Sequence, residues 1–184
     1  MAINLTKGQR VDVGLQQVGV GLGWNPNVQA SAEPYDLDAS AFMVGENGKL
    51  VSPEFFVFYN NARSPDGAVA TTGDNRDGAG DGDDETLLVS LPQVDSRVSE
   101  IIFVVTIHEA AQRRQNFGQV RGAFIRIYDQ SNSEEICNYE LDEDFSTESA
   151  VEFGRLYRRG NVWKFEAIGR GHNGGLEGLL NQYS

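Results

Sequence analysis

Residues 71–86 (TTGDNRDGAGDGDDET) carry more carboxylates than most surface loops. Five aspartates, one glutamate and four glycines share these sixteen positions, and Arg76 is the only basic residue among them. Carboxylates that converge raise one another's pKa and lower the stability of the fold unless a cation lies between them. The segment is therefore either a solvated acidic loop or part of a site for a cation.

Two further stretches add oxygen ligands. Asp36 and Asp38 are two positions apart, so in an extended chain both carboxylates lie on the same face. A predicted strand ends in Asn60 and Asn61, which offer neutral oxygen ligands. Hard oxygen donors without nearby histidine or cysteine favour calcium or magnesium over zinc, copper or iron. The glycines of the acidic loop suit the flexible coordination of calcium better than the strict octahedron of magnesium.

The acidic loop does not follow a common calcium-loop pattern. Aligned on an EF-hand loop from Asp74, Glu85 occupies the final ligand position, but Arg76 and Ala79 occupy positions that require an oxygen ligand and a glycine. The next segment, residues 86–91, predicts a strand rather than the exit helix of an EF-hand. Gly-Asp-Gly-Asp occurs once, whereas a nonapeptide β-roll needs stacked repeats.

Length and composition indicate a folded globular protein. The chain has 184 residues with 40% hydrophobic content, and we expect a single domain over residues 1–184. Its net charge of −12 argues against binding of nucleic acid through a basic surface. Cys137 is the only cysteine, which excludes an intrachain disulfide. Without a signal segment or a membrane-spanning apolar run, we expect a cytoplasmic protein.

Alternating apolar patterns between turn signals predict a mainly β protein, an antiparallel β-sandwich with two or three short helices. The predicted strands are residues 18–24, 39–44, 55–59, 86–91, 100–108, 123–128, 135–141 and 162–168. In the first of these, apolar residues alternate with glycine, which leaves one face nearly without side chains.

Helical spacing of apolar residues occurs in two places. The first set follows a possible N-cap at Ser146, precedes Gly160, and consists of Ala150, Phe153, Gly154 and Tyr157. The second set lies near the C-terminus and consists of Leu176, Leu179, Leu180 and Tyr183. Residues 109–114 predict a further, short helical turn.

A series of motifs resembles the tellurium-resistance TerD family in order and spacing, from about residue 3 to the C-terminus. The motifs are GVGLGW, DLDASAFM, FVFYNN, SPDGAV, GDNRDGAGDGDDE, FVVTIHEA, QNFGQVRGAFIRI and STESAVEFGRLYRRGNVWKFEAIGRG. The resemblance implies a β-sandwich that binds two adjacent calcium ions in its acidic loops. It also implies a role in a stress system linked to tellurite, colicin and phage resistance. No agreed reaction is known for the family, so we expect a protein that is not an enzyme.

The resemblance assigns most of the candidate metal ligands. These are Asp36, Asp38, Asn60, Asn61, Asp74, Asp83, Asp84 and Glu85. Glu109, where a strand is predicted to leave the sheet, and Asn116 are further candidates beside the same ions. We interpret His108 as a strand-end residue that makes hydrogen bonds. Cys137 is expected to be a small buried residue, with a tellurite-reactive thiol as the less favoured reading.

Two functions from different classes remain open. The first is a calcium-controlled interaction module whose partners are other proteins of a stress-response system. A variant of it is calcium-mediated binding of lipid, at a membrane surface, or of glycan. The second is a metal-dependent phosphoester hydrolase that uses the carboxylates as a two-metal centre. The absence of histidines near the acids and the fit of the loop to calcium favour the first.

Overall fold

The computed structural model describes residues 2–25, 36–72, 83–141, 145 and 147–184, and in them two six-stranded sheets pack face to face. Sheet A contains, in spatial order, β1 (Ile3–Leu5), β10 (Glu135–Glu140), β9 (Phe124–Asp129), β3 (Gln17–Gly23), β7 (Glu85–Ser90) and β6 (Val69–Thr71). Sheet B contains β2 (Arg10–Asp12), β12 (Val162–His172), β11 (Ala150–Arg159), β8 (Glu100–Ile107), β4 (Leu37–Val44) and β5 (Phe56–Val57). The predicted mainly β sandwich is confirmed.

Antiparallel pairing dominates both sheets. The exception among the described strand pairs is β1, which runs parallel to β10. Two short α-helices, α1 (Ala110–Arg113) and α2 (Gly175–Tyr183), and two 3-10 helices, Pro53–Phe55 and Leu91–Gln93, complete the described elements. None of the helices in these ranges is long and apolar enough to span a bilayer.

The main core lies between the sheets and is built from side chains at alternate strand positions. In β9, for example, Ile125 and Ile127 are fully buried in this core, while Arg126 between them lies on the outer face of sheet A. β8 is buried along almost its whole length because both of its faces are covered, as its continuous apolar sequence predicts.

Helix α2 covers the outer face of sheet B. Leu179 and Tyr183 are buried in a second apolar cluster against Phe42 of β4 and Ile102 of β8. The phenol of Tyr183 donates a hydrogen bond to the buried carboxylate of Glu152 (2.9 Å). The predicted C-terminal helix is therefore confirmed, and so is the short helical turn after β8, which is α1.

The helix predicted to follow Ser146 is wrong, because Ala150–Arg159 forms β11, hydrogen-bonded to β8 and β12 on its two sides. A β-bulge between Glu152 and Gly154 explains the error. Val151 faces the core before the bulge, Phe153 faces it within the bulge, and Leu156 faces it afterwards. The core-facing residues of β11 thus change from odd to even positions along the chain. This change breaks the two-residue repeat of a strand and leaves apolar residues at a spacing that resembles that of a helix.

Other differences concern short edge strands. β1, β2 and β6 have three residues each and were not predicted, since so few positions carry little periodicity. The predicted strand at residues 55–59 is reduced to Phe56–Val57, because the 3-10 helix Pro53–Phe55 ends where it begins and a tight turn closed by Phe58 and Asn61 follows it.

Replacing Gly154 with alanine tests whether this segment is a strand or a helix, because the change in the free energy of unfolding has opposite signs in the two cases. A Cβ at this position would overlap the ring of buried Phe165 and lie 2.8 Å from the carbonyl oxygen of Glu166. We expect Gly154→Ala to lower the free energy of unfolding by about 1–3 kcal/mol, measured by urea denaturation. In a helix the same change would raise stability by roughly 0.5–1 kcal/mol.

The matched control is Gly14→Ala. A Cβ at Gly14 has no neighbour within 4 Å, so we expect an unfolding midpoint close to that of the unmodified chain. A stabilised Gly154→Ala variant would contradict the bulged strand.

Candidate metal site

Strand pairing brings the acidic segments to one end of the sandwich. β4 starts beside the end of β8, where Leu37 is paired with Ile107. β7 starts beside the end of β3, where Glu85 is paired with Leu22, and β9 also starts beside the end of β3. The connection from β8 to β9 joins the two sheets at this end. We call it the acidic end, and the candidate ligands with carboxylates described there are Asp36, Asp38, Asp83, Asp84, Glu85 and Glu109.

On sheet B, the backbone and side chain of His108 lie beside the predicted Asp36 and Asp38 pair. The backbone N–H of His108 donates to the carbonyl oxygen of Asp36 (2.7 Å). The imidazole Nδ1 lies 3.9 Å from Oδ2 of Asp38, and Nε2 lies 3.6 Å from Oε1 of Glu109. These separations are longer than hydrogen bonds but lie within the range of ion pairs. The structure thus brings Asp38 and Glu109 to opposite edges of one ring.

Glu109 adopts a left-handed backbone conformation immediately after β8 (φ 52°, ψ 36°). This conformation is uncommon for residues other than glycine and asparagine, and it turns the chain sharply into α1. The Glu109 carboxylate also forms an ion pair with Arg113, whose Nη2 lies 3.3 Å from Oε2 of Glu109. The prediction that Glu109 lies where a strand leaves the sheet is confirmed; its role as a ligand stays a prediction.

The asparagine candidates take part in turns near this end. The side-chain oxygen of Asn116 accepts the backbone N–H of Gly118 (2.9 Å). The side-chain nitrogen of Asn61 donates to the carbonyl oxygens of Glu54 (2.9 Å) and Phe56 (2.7 Å). Asn60 is exposed in the same turn, at the end of β5 that points towards the start of β4. The amide group of Asn61 is therefore oriented by the backbone before any ligand binds.

On sheet A, Asp83 is bound by Arg126 rather than by another residue of the acidic segments. The guanidinium donates to both carboxylate oxygens, from Nε (2.8 and 3.0 Å) and from Nη2 (2.7 Å). Gly21 makes room for this pair, since a Cβ there would overlap the Asp83 carboxylate. The hydrogen bonds to Asp83 raise the pKa of Arg126. The ion pair lies on the outer face of sheet A, where Arg126 also stacks over Tyr128 (4.3 Å).

Sequence reasoning did not select Arg126. The sequence places Arg126 in a predicted strand, but it does not show that this strand lies beside the glycines of β3. The partner of Arg126, Asp83, lies 43 residues earlier in the chain. Pairing over that distance depends on the β3–β9 register, which the sequence alone did not provide.

Asp84 and Glu85 lead from the acidic loop into β7. Oδ2 of Asp84 accepts the backbone N–H of Trp24 (2.9 Å), so the carboxylate holds the end of β3. Glu85 is 6% exposed and has the same strand phase as the core residue Leu87. A carboxylate at that depth loses much of its hydration and favours a nearby positive charge.

Asp74 lies outside the described residues, as do the other positions from 73 to 82. Within the described ranges, no three His, Cys, Asp or Glu side chains form a group that could hold a metal ion by themselves. The donors at the acidic end are carboxylate, amide and carbonyl oxygens, which is the chemistry that calcium requires. The described residues fit as part of a calcium site.

Comparisons with known proteins agree with the motif pattern. The TerD domain model matches residues 1–183. The chain belongs to the TerD family. It is 50% identical to the tellurium resistance protein TerD of Serratia marcescens over 188 aligned residues, which cover 100% of this chain and 97% of that protein. It is 47% identical to general stress protein 16U of Bacillus subtilis, with the same coverage.

The TerD fold is also seen in a solved structure. A crystal structure of a homologue of telluride resistance protein (TerD) from Streptomyces coelicolor superposes with a TM-score of 0.71 at 22% identity. The superposition covers 91% of this chain and 96% of that one, and at this identity it supports the fold alone. The names of the relatives connect the TerD family with tellurium resistance and with stress responses.

Cys137, the single thiol of this TerD chain, is fully buried in β10. Burial raises the pKa of the thiol to about 12, so the reactive thiolate is nearly absent at neutral pH. The expectation of a small buried residue is confirmed.

We expect Cys137 of the folded TerD chain to react with Ellman's reagent at pH 8 far more slowly than free cysteine, because the thiol is inaccessible and protonated. Denaturant should release the full reaction of one thiol per chain. A Cys137→Ala variant supplies the blank. Rapid labelling of the folded chain would contradict the assignment of Cys137 as a buried, protonated thiol. It would support the less favoured reading, a tellurite-reactive thiol.

A double-mutant cycle measures the Asp83–Arg126 pair in the TerD fold. We expect Asp83→Asn and Arg126→Gln each to lower the free energy of unfolding, with a coupling energy of about 1–2 kcal/mol, since Asp83 is largely buried. The control cycle uses Asp12 and Lys164, a pair in which the carboxylate is largely exposed. Exposed pairs couple weakly. Equal coupling in both cycles would show that Arg126 does not anchor Asp83.

Proposed function

We propose that this TerD protein binds calcium at the acidic end and acts, without catalysing a reaction, as a calcium-controlled interaction module in a stress response. The observation that carries the proposal is the strand register. It places Asp36 and Asp38 of sheet B and Asp84 and Glu85 of sheet A at the same end of the sandwich. Family membership supports the link to tellurium and stress resistance.

The proposed ligands come from both sheets. Sheet B would contribute Asp36, Asp38, Asn60, Asn61, Glu109 and Asn116, and sheet A would contribute Asp74, Asp83, Asp84 and Glu85. When bound, calcium supplies positive charge that offsets repulsion among these groups. The backbone N–H of Trp24 holds Asp84 in place, which lowers the entropy lost on binding. Calcium would have to share the Asp83 carboxylate with Arg126.

Charge explains how an ion could control interactions. The chain carries a net charge of −12, and a large share of its acids lies in or beside the loop at residues 71–86. Two calcium ions would bring four positive charges to a set of proposed ligands that includes seven carboxylates, and would so cancel more than half of the local negative charge. A partner would then meet a different surface in the presence and absence of calcium. The outer faces of the sheets would keep their structure, since they are held by interstrand hydrogen bonds.

Removal of calcium from the purified chain, followed by titration, tests the binding step. At a calcium concentration of one hundred times Kd we expect a stabilisation of about 2.7 kcal/mol, or roughly 5–10 °C in Tm. Isothermal titration calorimetry gives the number of ions, and thermal melting gives the shift. No heat and no shift at millimolar calcium would reject the proposal.

Isosteric variants locate the ions. We expect Asp38→Asn and Glu85→Gln to abolish or strongly reduce the calcium-dependent shift, because each removes one ligand charge. Asp12→Asn, on β2 and with a largely exposed side chain, is the control and should keep the full shift. If all three variants respond to calcium like the unmodified chain, the ions bind elsewhere.

The alternative, a metal-dependent phosphoester hydrolase with a two-metal carboxylate site, predicts turnover of generic phosphate esters that depends on magnesium or manganese. No observation on the described residues favours it.

A further inference from the structure

The end of the sandwich opposite the acidic end carries two neighbouring clefts. The first has a volume of about 690 Å³ and lies between the loop after β4, the loop before β8 and the hairpin between β11 and β12. Its charged lining residues are Lys49, Arg97, Arg158 and Glu46. We call it the basic cleft. Its lining holds three cations and one acid, and a second acid, Asp95, forms an ion pair with Arg97 (2.9 Å), on a chain whose net charge is −12.

The cations of the basic cleft are held in position by the protein. Nζ of Lys49 donates to the carbonyl oxygen of Gln182 at the end of α2 (2.6 Å). Nη2 of Arg158 donates to the carbonyl oxygen of Asp95 (3.1 Å), while its buried Nε has no acceptor. Arg97 makes hydrogen bonds to the Asp95 carboxylate from Nε (3.0 Å) and Nη2 (2.9 Å). Side chains that are already ordered lose less entropy when they bind an anion.

Close packing of two loops gives the basic cleft its shape. A Cβ at Gly45 would lie 3.2 Å from the carbonyl oxygen of Arg97, so glycine allows the loop after β4 to approach the loop before β8. The backbone N–H of Ser99 donates to the carbonyl oxygen of Val44 (2.8 Å), and Arg158 donates its N–H to Ser99 (3.0 Å). All three walls are thus connected by main-chain contacts.

The second cleft is mostly apolar and has a volume of about 370 Å³. Its apolar lining residues are Val13, Leu15, Leu91, Pro92, Val162 and Trp163. We call it the apolar cleft. Val162 is 47% exposed, although large apolar side chains of this chain are mostly buried. An exposed apolar side chain beside a concave apolar wall is typical of a binding surface rather than of a core.

One hairpin joins the two clefts. Arg158 and Gly160 line the basic cleft, and Asn161, Val162 and Trp163 line the apolar cleft. The guanidinium carbon of Arg158 lies 4.7 Å from the centre of the Trp163 ring, so a cation and an aromatic face meet at the boundary. Tryptophan and arginine are the residues that most often dominate the energy of protein interfaces.

We propose that the two clefts together bind a peptide segment of a partner protein in which acidic residues adjoin a large apolar side chain. Carboxylates would bind the fixed cations of the basic cleft, and the apolar side chain would enter the apolar cleft beside Trp163. The proposal gives the interaction module a partner surface but does not depend on calcium binding, because the clefts lie at the other end of both sheets. Nucleic acid is disfavoured as the occupant by the net charge of the chain.

Selection from a phage-displayed library of random dodecapeptides on the full-length chain tests the proposal. We expect the enriched peptides to combine aspartate or glutamate with leucine, phenylalanine or tryptophan. Synthetic fluorescein-labelled copies are then titrated by fluorescence polarisation, once with calcium and once with EDTA. We expect binding in both conditions, weakened by salt. Absence of enrichment, or enrichment of peptides without acidic residues, would overturn the proposal.

Matched variants locate the binding surface. Arg97→Gln and Val162→Ser should each weaken binding roughly tenfold, through loss of a charge and of buried apolar area. Arg170→Gln and Ile3→Ser are the controls, because Arg170 and Arg97 have similar side-chain exposure (63% and 64%), as do Ile3 and Val162 (50% and 47%). Unchanged binding in both cleft variants would overturn the proposal. Equal competition by a single-stranded oligonucleotide would identify a nucleic-acid surface instead.

Loss of calcium binding with intact peptide binding would reject the proposed calcium function alone. Calcium binding without peptide selection would reject the cleft proposal alone.

Discussion

The strand registers that bring acidic segments of both sheets to one end of the sandwich are the constraint on which the candidate site depends. The β4–β8 and β3–β7 registers fix the positions of Asp38 and Glu85, so the protein cannot separate them without breaking hydrogen bonds between strands. Arg126 binds the carboxylate of Asp83, and the backbone N–H of Trp24 binds that of Asp84.

The two ends of the molecule are chemically opposite, and the core between them is continuous. β8 and β11 run from the acidic end to the two clefts and are buried along most of their length. A rigid connection of this kind allows each end to keep its own geometry. Calcium and a peptide could therefore bind independently, unless an element with two arrangements couples the ends.

Elements with a strong local signal were predictable, and features that depend on distant pairing were not. The apolar run of β8 and the alternation of β3 predicted strands at the correct positions. β11 was missed because its bulge changes the phase of the core residues at Gly154. The Asp83–Arg126 pair and the two clefts were missed because each joins segments that are far apart in the chain.

The left-handed conformation of Glu109 has a consequence for stability. Glycine at this position would remove backbone strain of about 1 kcal/mol, and asparagine would remove part of it. Either replacement would also delete a carboxylate that lies beside His108 and pairs with Arg113. Selection for thermal stability alone would thus tend to remove Glu109, while selection for an acidic site would keep it. The glutamate found here therefore combines a strained backbone with a carboxylate that glycine could not supply.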